Sequence, residues 1–165
     1  MENTNKKLGW RKWTIFIVVG LIGQFAWAIE NMYLNTYLTF LNFNDSNGVG
    51  FDYSLMIALT TALSAITATL TTIFMGSLTD KVNKRKIFIT IGYILRGLST
   101  ASFGLLDVNN KNAIIPISMT AMNAAILVIV IDCIMTFFGS TSNDAAFNSY
   151  VTKETNTQNR GKVEG

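Results

Sequence analysis

Charge is what this 165-residue sequence has least of: 14% of its residues are Asp, Glu, Lys or Arg, where a soluble domain carries about 25%. So small a stock cannot cover a surface that faces water on every side. Histidine is missing altogether, and Cys133 is the single cysteine. These absences exclude a Cys/His zinc site, an intramolecular disulfide and a histidine base of the triad kind. Cys133 sits inside an apolar run and reads as a packed thiol. One proline and 12 glycines exclude collagen-like and proline-rich disordered chains. The sequence carries no phosphate loop, metal-ligand cluster or nucleophile–base pair, so neither an enzyme nor a bound cofactor is expected. Half of the residues are apolar. They imply a partner that is a lipid bilayer.

A hydrocarbon core of about 30 Å takes about 20 mostly apolar residues in helical form. Four stretches qualify: Trp13 to Phe40, Tyr53 to Leu78, Ile87 to Leu106, and one that starts near Ala113. The first is too long for a secretory signal and lacks a small-residue cleavage site. A water-soluble helix would show a polar face every turn, and Ile126-Leu127-Val128-Ile129-Val130-Ile131 shows none. The expectation is an all-α integral membrane protein with four transmembrane helices, over about 13–40, 53–78, 86–107 and 113–151.

Basic residues are distributed with a strong bias. Lys6, Lys7, Arg11 and Lys12 precede the first span; Lys81, Lys84, Arg85 and Lys86 separate the second from the third; Lys153, Arg160 and Lys162 follow the fourth. Eleven of the 13 therefore fall on one side, Lys111 on the other, and Arg96 within a span. By the positive-inside rule the segment 1–12 and the loops at 79–86 and 152–165 are cytoplasmic, in a multi-pass protein of the cell membrane. The net charge of +3 thus reflects topology and calls for no nucleic acid. Residues 152–165 are polar and read as a loop leading to a fifth helix that is not in this chain.

The polar turn between spans two and three reads Gly76-Ser77-Leu78-Thr79-Asp80-Lys81-Val82-Asn83-Lys84-Arg85-Lys86. Gly76 would let a neighbouring helix approach closely, and Asp80 could accept from backbone donors at a helix start. Lys81 and Arg85 could bridge to carboxylates on adjacent helices. Asn83 tolerates the left-handed conformation that a tight turn needs. This stretch resembles the loop signature of the major facilitator superfamily, in position as well as in spacing, with Asn83 where the family has glycine. The resemblance implies a 12-helix fold of two six-helix halves around a cavity that opens alternately to either side, of which this chain would supply the first four helices. Gly76, Asp80, Lys81 and Arg85 would form its conformational-switch loop.

Ionisable groups inside the spans mark the expected pathway. A charge at the centre of a span costs about 2.5–3.5 kcal/mol on insertion scales. Arg96 lies ten residues past Lys86, so about 15 Å into the membrane. It requires a carboxylate or a wet cavity, and the candidates are Glu30 and Asp132. Gln24, Asn31 and Tyr33 extend the polar pathway around Glu30. Amides and acids beside aromatic rings are the chemistry of sugar binding: they pair with hydroxyls while rings stack on the sugar's apolar face. The second span is rich in hydroxyls, Thr60, Thr61 and Ser64 among them, which fits close helix packing.

Past Gly139, the run Ser140 to Thr152 resembles the end of the fourth helix in the melibiose-type glycoside–pentoside–hexuronide:cation symporters. There a Thr and an Asp three residues later serve cation and sugar, and Thr141 and Asp144 match that spacing. The family's stacking aromatic four residues on is Asn148 here. Its sugar-binding Asp on the first helix falls at Gln24, and its two acidic cation ligands on the second fall at Ala68 and Thr72. Lacking those acids, the resemblance implies a proton rather than sodium as coupling cation. It also implies that helix four runs past Gly139 to about Val151. A helix from Ile117 to Val151 would be about 52 Å long, enough to tilt, bend or protrude. The expected activity is secondary transport of a small solute, a sugar or glycoside, by alternating access. Its rivals are a self-contained four-helix exporter acting as a dimer and a non-transporting scaffold. The scaffold would leave Glu30, Arg96 and Asp132 with no reason to sit in a membrane.

Overall fold

A computed structural model of the chain describes residues 9–40, 53–103, 121–155 and 161. Among them are four long helical runs and no strand. Helix α1 spans Trp10–Phe40, α2 Tyr53–Val82 and α3 Arg85–Phe103. The fourth run begins at Ala121, the first described residue after 104–120, and is α-helical to Gly139 (α4). It widens into a π-helix over Ser140–Phe147 and finishes as α5, Asn148–Glu154. It does not end at Gly139, where the hydropathy falls. The backbone leaves the helix at Thr155, which is extended at φ −103°, ψ 145°. The expected start of this span at 113 and the end of the third at 107 lie outside the described residues, as does most of the 152–165 segment.

Trp10–Thr39, Ser54–Val82 and Asn123–Glu154 are long and apolar enough to cross a membrane. Over its described length, Arg85–Phe103, α3 is less apolar than these three. Arg85, Lys86 and Arg96 lower its hydropathy, and Arg96 is buried against other helices rather than presented outward. The protein is apolar outside and polar within. Ile15, Ile22, Phe25, Ile66, Ile73, Ile94 and Leu98 are exposed, while Thr60, Thr71, Arg96, Asp132, Ser140, Thr141 and Ser142 are buried. Water would not tolerate so continuous an apolar exterior, whereas lipid tails are its natural solvent.

Threonines suit such helices because they bond their own backbone. Thr60, Thr61, Thr69 and Thr72 each donate to the carbonyl four residues earlier, at 2.8–2.9 Å, so these hydroxyls are satisfied within their own helix. Two apolar clusters bracket the centre of the bundle. One joins Leu34, Leu38, Met56, Phe103, Ala124, Ala125, Val128 and Met135. The other joins Phe16, Phe147 and Val151, with Val19, Ile89 and Tyr150 against them. Small residues set the helix spacing between: a Cβ on Gly92 would lie 2.6 Å from Ser142 Cβ and 3.2 Å from the Phe138 carbonyl oxygen. Gly23 likewise sits against Asn143 and Tyr93. Gly76 makes no such approach, contrary to expectation. A Cβ there would meet nothing within 4 Å among the described residues.

Candidate functional site

Between the two apolar clusters lies a cavity of about 380 Å³. Helix α1 lines it with Gln24, Trp27, Glu30, Asn31 and Asn35, α2 with Thr60, Thr61, Ser64, Ala65 and Ala68, and α3 with Arg96. The fourth helix adds Asp132, Thr136, Gly139, Ser140, Asn143 and Asp144. On α1, α2 and the fourth helix these residues recur at intervals of three or four, the spacing that keeps side chains on one face.

Arg96 donates to Glu30, and both side chains are only 8% exposed. The guanidinium lies flat against Gly139, where a Cβ would come within 3.2 Å of its Cζ and Nη1. Of the two carboxylates expected to hold Arg96, Glu30 does so. Asp132 is instead bonded to Ser64 on α2, because its place on the fourth helix turns it toward α2 rather than α3. Asn31 donates its amide to the Trp27 carbonyl at 2.8 Å, which leaves its own oxygen as an acceptor. Asn143 accepts from Tyr93 at 3.3 Å and donates to Asp144 at 3.2 Å.

Gln24, Glu30, Asn31, Arg96, Asp132 and Asp144 therefore meet in one cavity. Tyr33, Thr141 and Asn148 do not line it. Tyr33 stacks on Tyr37 at 6.0 Å, Thr141 is buried and donates to the Phe137 carbonyl at 2.7 Å, and Asn148 is exposed. The Thr141–Asp144 spacing would share a face in an α-helix, but both lie in the π-helical stretch, where the turn is wider. Thr136, Ser140 and Asn143 went unassigned in the sequence, whereas Asn35 is one of the hydrogen-bonding groups that it places along the first helix with Gln24 and Asn31. The signal for Thr136, Ser140 and Asn143 was the polar series 132, 136, 140, 143, at helical spacing that starts within an apolar segment. Among the described residues no three acidic or cysteine side chains come together as a metal site.

The family model of the Major Facilitator Superfamily matches residues 3–165. The chain belongs to the Major Facilitator Superfamily. Comparison with curated proteins and with solved structures finds no match. Membership makes the chain a multi-pass membrane protein of a secondary-transporter family, with a lipid bilayer and a small-molecule substrate as its surroundings and cargo. The superfamily's members are in general transporters.

The superfamily loop between α2 and α3 makes a second polar centre, beyond the apolar stretch of α2. Asn83 has φ 53°, the left-handed geometry expected of it. Asp80 does not accept from backbone donors. Because α2 continues to Val82, Asp80 is in the helix's last turn, and its partners are the side chains of Arg85 and Ser149. A carboxylate is misplaced against the helix dipole there. Arg85 first and Ser149 second offset this and hold its carboxyl below the usual range. Arg85, at the start of α3, thus bridges to a carboxylate on the adjacent helix α2, as expected of it, whereas Lys81 is exposed, with no ion pair among the described residues. The end of the fourth helix is tied to this turn by Ser149 on Asp80 and by Lys153 on Asn83, both at 2.8 Å. Lys86 lies 5.8 Å over the Tyr150 ring, and Lys12 pairs with Glu154.

Proposed function

We propose that the chain forms part of a carrier that moves a sugar or glycoside across the cell membrane by alternating access, coupled to protons. The observation that carries this reading is the lining of the central cavity. Gln24, Asn31, Asn35 and Asn143 offer amides, Thr60, Thr61, Thr136 and Ser140 hydroxyls, Glu30 and Asp144 acceptors, and Trp27 an apolar plane. Alternating donors and acceptors beside one indole suit a polyhydroxylated ring better than an apolar drug, and the volume lies in the range of small-molecule sites. The missing acids at Ala68 and Thr72 favour a proton over sodium. Segment 1–12 and the turn at 79–86 face the cytoplasm on this reading. The bonds from Ser149 and Lys153 to that turn provide a contact that alternation would have to break and remake, which supports a switching role for Gly76, Asp80, Lys81 and Arg85.

The test is uptake in proteoliposomes against a panel of labelled mono- and disaccharides, glucuronides and amino acids. Saturable uptake of a sugar, stimulated by an inward proton gradient and indifferent to sodium, is the expected result. Asp144→Asn should leave expression intact and abolish accumulation. Accumulation at the wild-type level would remove Asp144 from the site. Uptake confined to amino acids would remove the sugar.

A further inference from the structure

Asp132 stands apart from the other ionisable groups of the cavity. Only 3% of its surface is exposed, its one hydrogen bond is from Ser64, and no cation pairs with it among the described residues. The charged groups that share the cavity with it are Glu30 of α1, Arg96 of α3 and Asp144 of its own helix, while α2 brings only hydroxyls and methyls. Tyr93 of α3 is engaged with Asn143. Arg96 is committed to Glu30 and pressed against Gly139, about two helical turns from Asp132 and about 10 Å along the axis. An ionised Asp132 would thus be a desolvated charge with one hydroxyl donor and Glu30 as a like-charged neighbour. A neutral Asp132 needs no more than Ser64 supplies. Its O–H can donate to the same Ser64 oxygen that donates to it when it is ionised, so one partner serves both states. A metal ion would need several oxygens, but Ala65 and Ala68 beside Ser64 present methyl groups.

We propose that Asp132, backed by Ser64, is the group that takes up and releases the coupling proton, and that Glu30–Arg96 is the fixed pair beside it. The assignment rests on reading the chain as a proton-coupled carrier. A proton from the aqueous side forms an O–H bond on the Asp132 carboxylate and cancels its charge; the same bond breaks on release to the other side. With Asp132 neutral and Glu30 cancelled by Arg96, this part of the cavity can pass through an occluded state without a net charge.

Infrared titration of the full-length protein in liposomes tests this without a known substrate. At mildly acidic pH the carbonyl stretch of a protonated carboxyl should be present, should disappear as the pH rises, and should be absent from Asp132→Asn. It should persist in Glu30→Gln and in Asp144→Asn. Ser64→Ala should shift the band, because the hydrogen bond is lost, and this keeps the test open if Asp132→Asn does not fold. A band that is missing, that survives in Asp132→Asn, that is unmoved in Ser64→Ala, or that sodium abolishes at constant pH overturns the assignment. Lactose and melibiose then serve as transport probes. Asp132→Asn should keep exchange of the transported sugar at equal concentrations and reduce proton-driven accumulation to equilibration. Full accumulation in that variant overturns the proton assignment and leaves the sugar reading intact. Failure of the wild-type protein to move either sugar, with the Asp132 band behaving as expected, counts against the sugar reading and leaves the protonation site standing.

Discussion

Removing Arg96 alone should be far worse than removing Arg96 and Glu30 together. Both side chains are 8% exposed, so each has given up almost all of its water, and the guanidinium is further confined by Gly139. Breaking a buried pair by deleting one partner costs about 3–5 kcal/mol, because the survivor is left charged and unsolvated. The lower end applies here, since helices separated within a bilayer still find other partners. At 1.4 kcal/mol per factor of ten, Arg96→Met should lower the folded-to-unfolded ratio by about a hundredfold or more. The double variant Arg96→Met/Glu30→Gln replaces the pair by neutral groups of similar length and should recover most of that loss. Reversible unfolding in mixed detergent micelles measures all three proteins, and a cycle completed with Glu30→Gln isolates the pairwise coupling. Equal stability of the single and double variants would refute the reasoning. Rescue by Asp132→Asn in place of Glu30→Gln would show that Arg96 is held by the wrong carboxylate in this account.

Gly92→Ala should destabilise by about 1–3 kcal/mol through overpacking against Ser142 and the Phe138 carbonyl; Gly76→Ala, which meets nothing within 4 Å, should be neutral or stabilising by up to about 1 kcal/mol as the better helix former. Thermal unfolding of the two variants separates these signs, and the same loss at both positions would contradict the packing described. At Asn83, φ 53° makes a β-branched residue cost about 1–2 kcal/mol, so Asn83→Val should lower the unfolding midpoint and Asn83→Gly should lower it less. In a Cys133→Ala background, a cysteine at Ser46 should react with an impermeant maleimide in intact cells and one at Lys84 only after permeabilisation; the reverse pattern would invert the orientation.

Much of the fold was legible because its causes act along the chain. Apolar runs such as Ile126 to Ile131 announce helices whatever surrounds them. The left-handed turn at Asn83 follows from a local preference. The need of Arg96 for a partner follows from its depth alone. Legibility stopped where polarity fell within a helix. Hydropathy alone falls at Gly139, and residues 140–147 carry few apolar side chains, so the expected run to about Val151 rested on the resemblance; the helix does continue, since Thr141 and Ser142 bond the carbonyls of Phe137 and Phe138 and their environment is protein rather than lipid. For α3 the sequence shows that Arg96 needs a partner but not which one, since both Glu30 and Asp132 lie at suitable depth and only the packing turns Glu30 toward it.

By itself the sequence determined that the protein is helical, membrane-embedded and of the facilitator kind, since hydropathy, charge bias and a loop motif are sums or strings over neighbouring residues. Only the tertiary structure decided which charges meet. Glu30 reaches Arg96 across 66 positions and Ser64 reaches Asp132 across 68, contacts that depend on how far each helix is rotated about its own axis. The π-helical stretch alters that rotation midway along the fourth helix, bringing Asn143 and Asp144 to the cavity and leaving Thr141 buried outside it. A rotation of this kind costs little along the backbone. It is settled by the close contacts at Gly92 and Gly139, which no one-dimensional pattern contains.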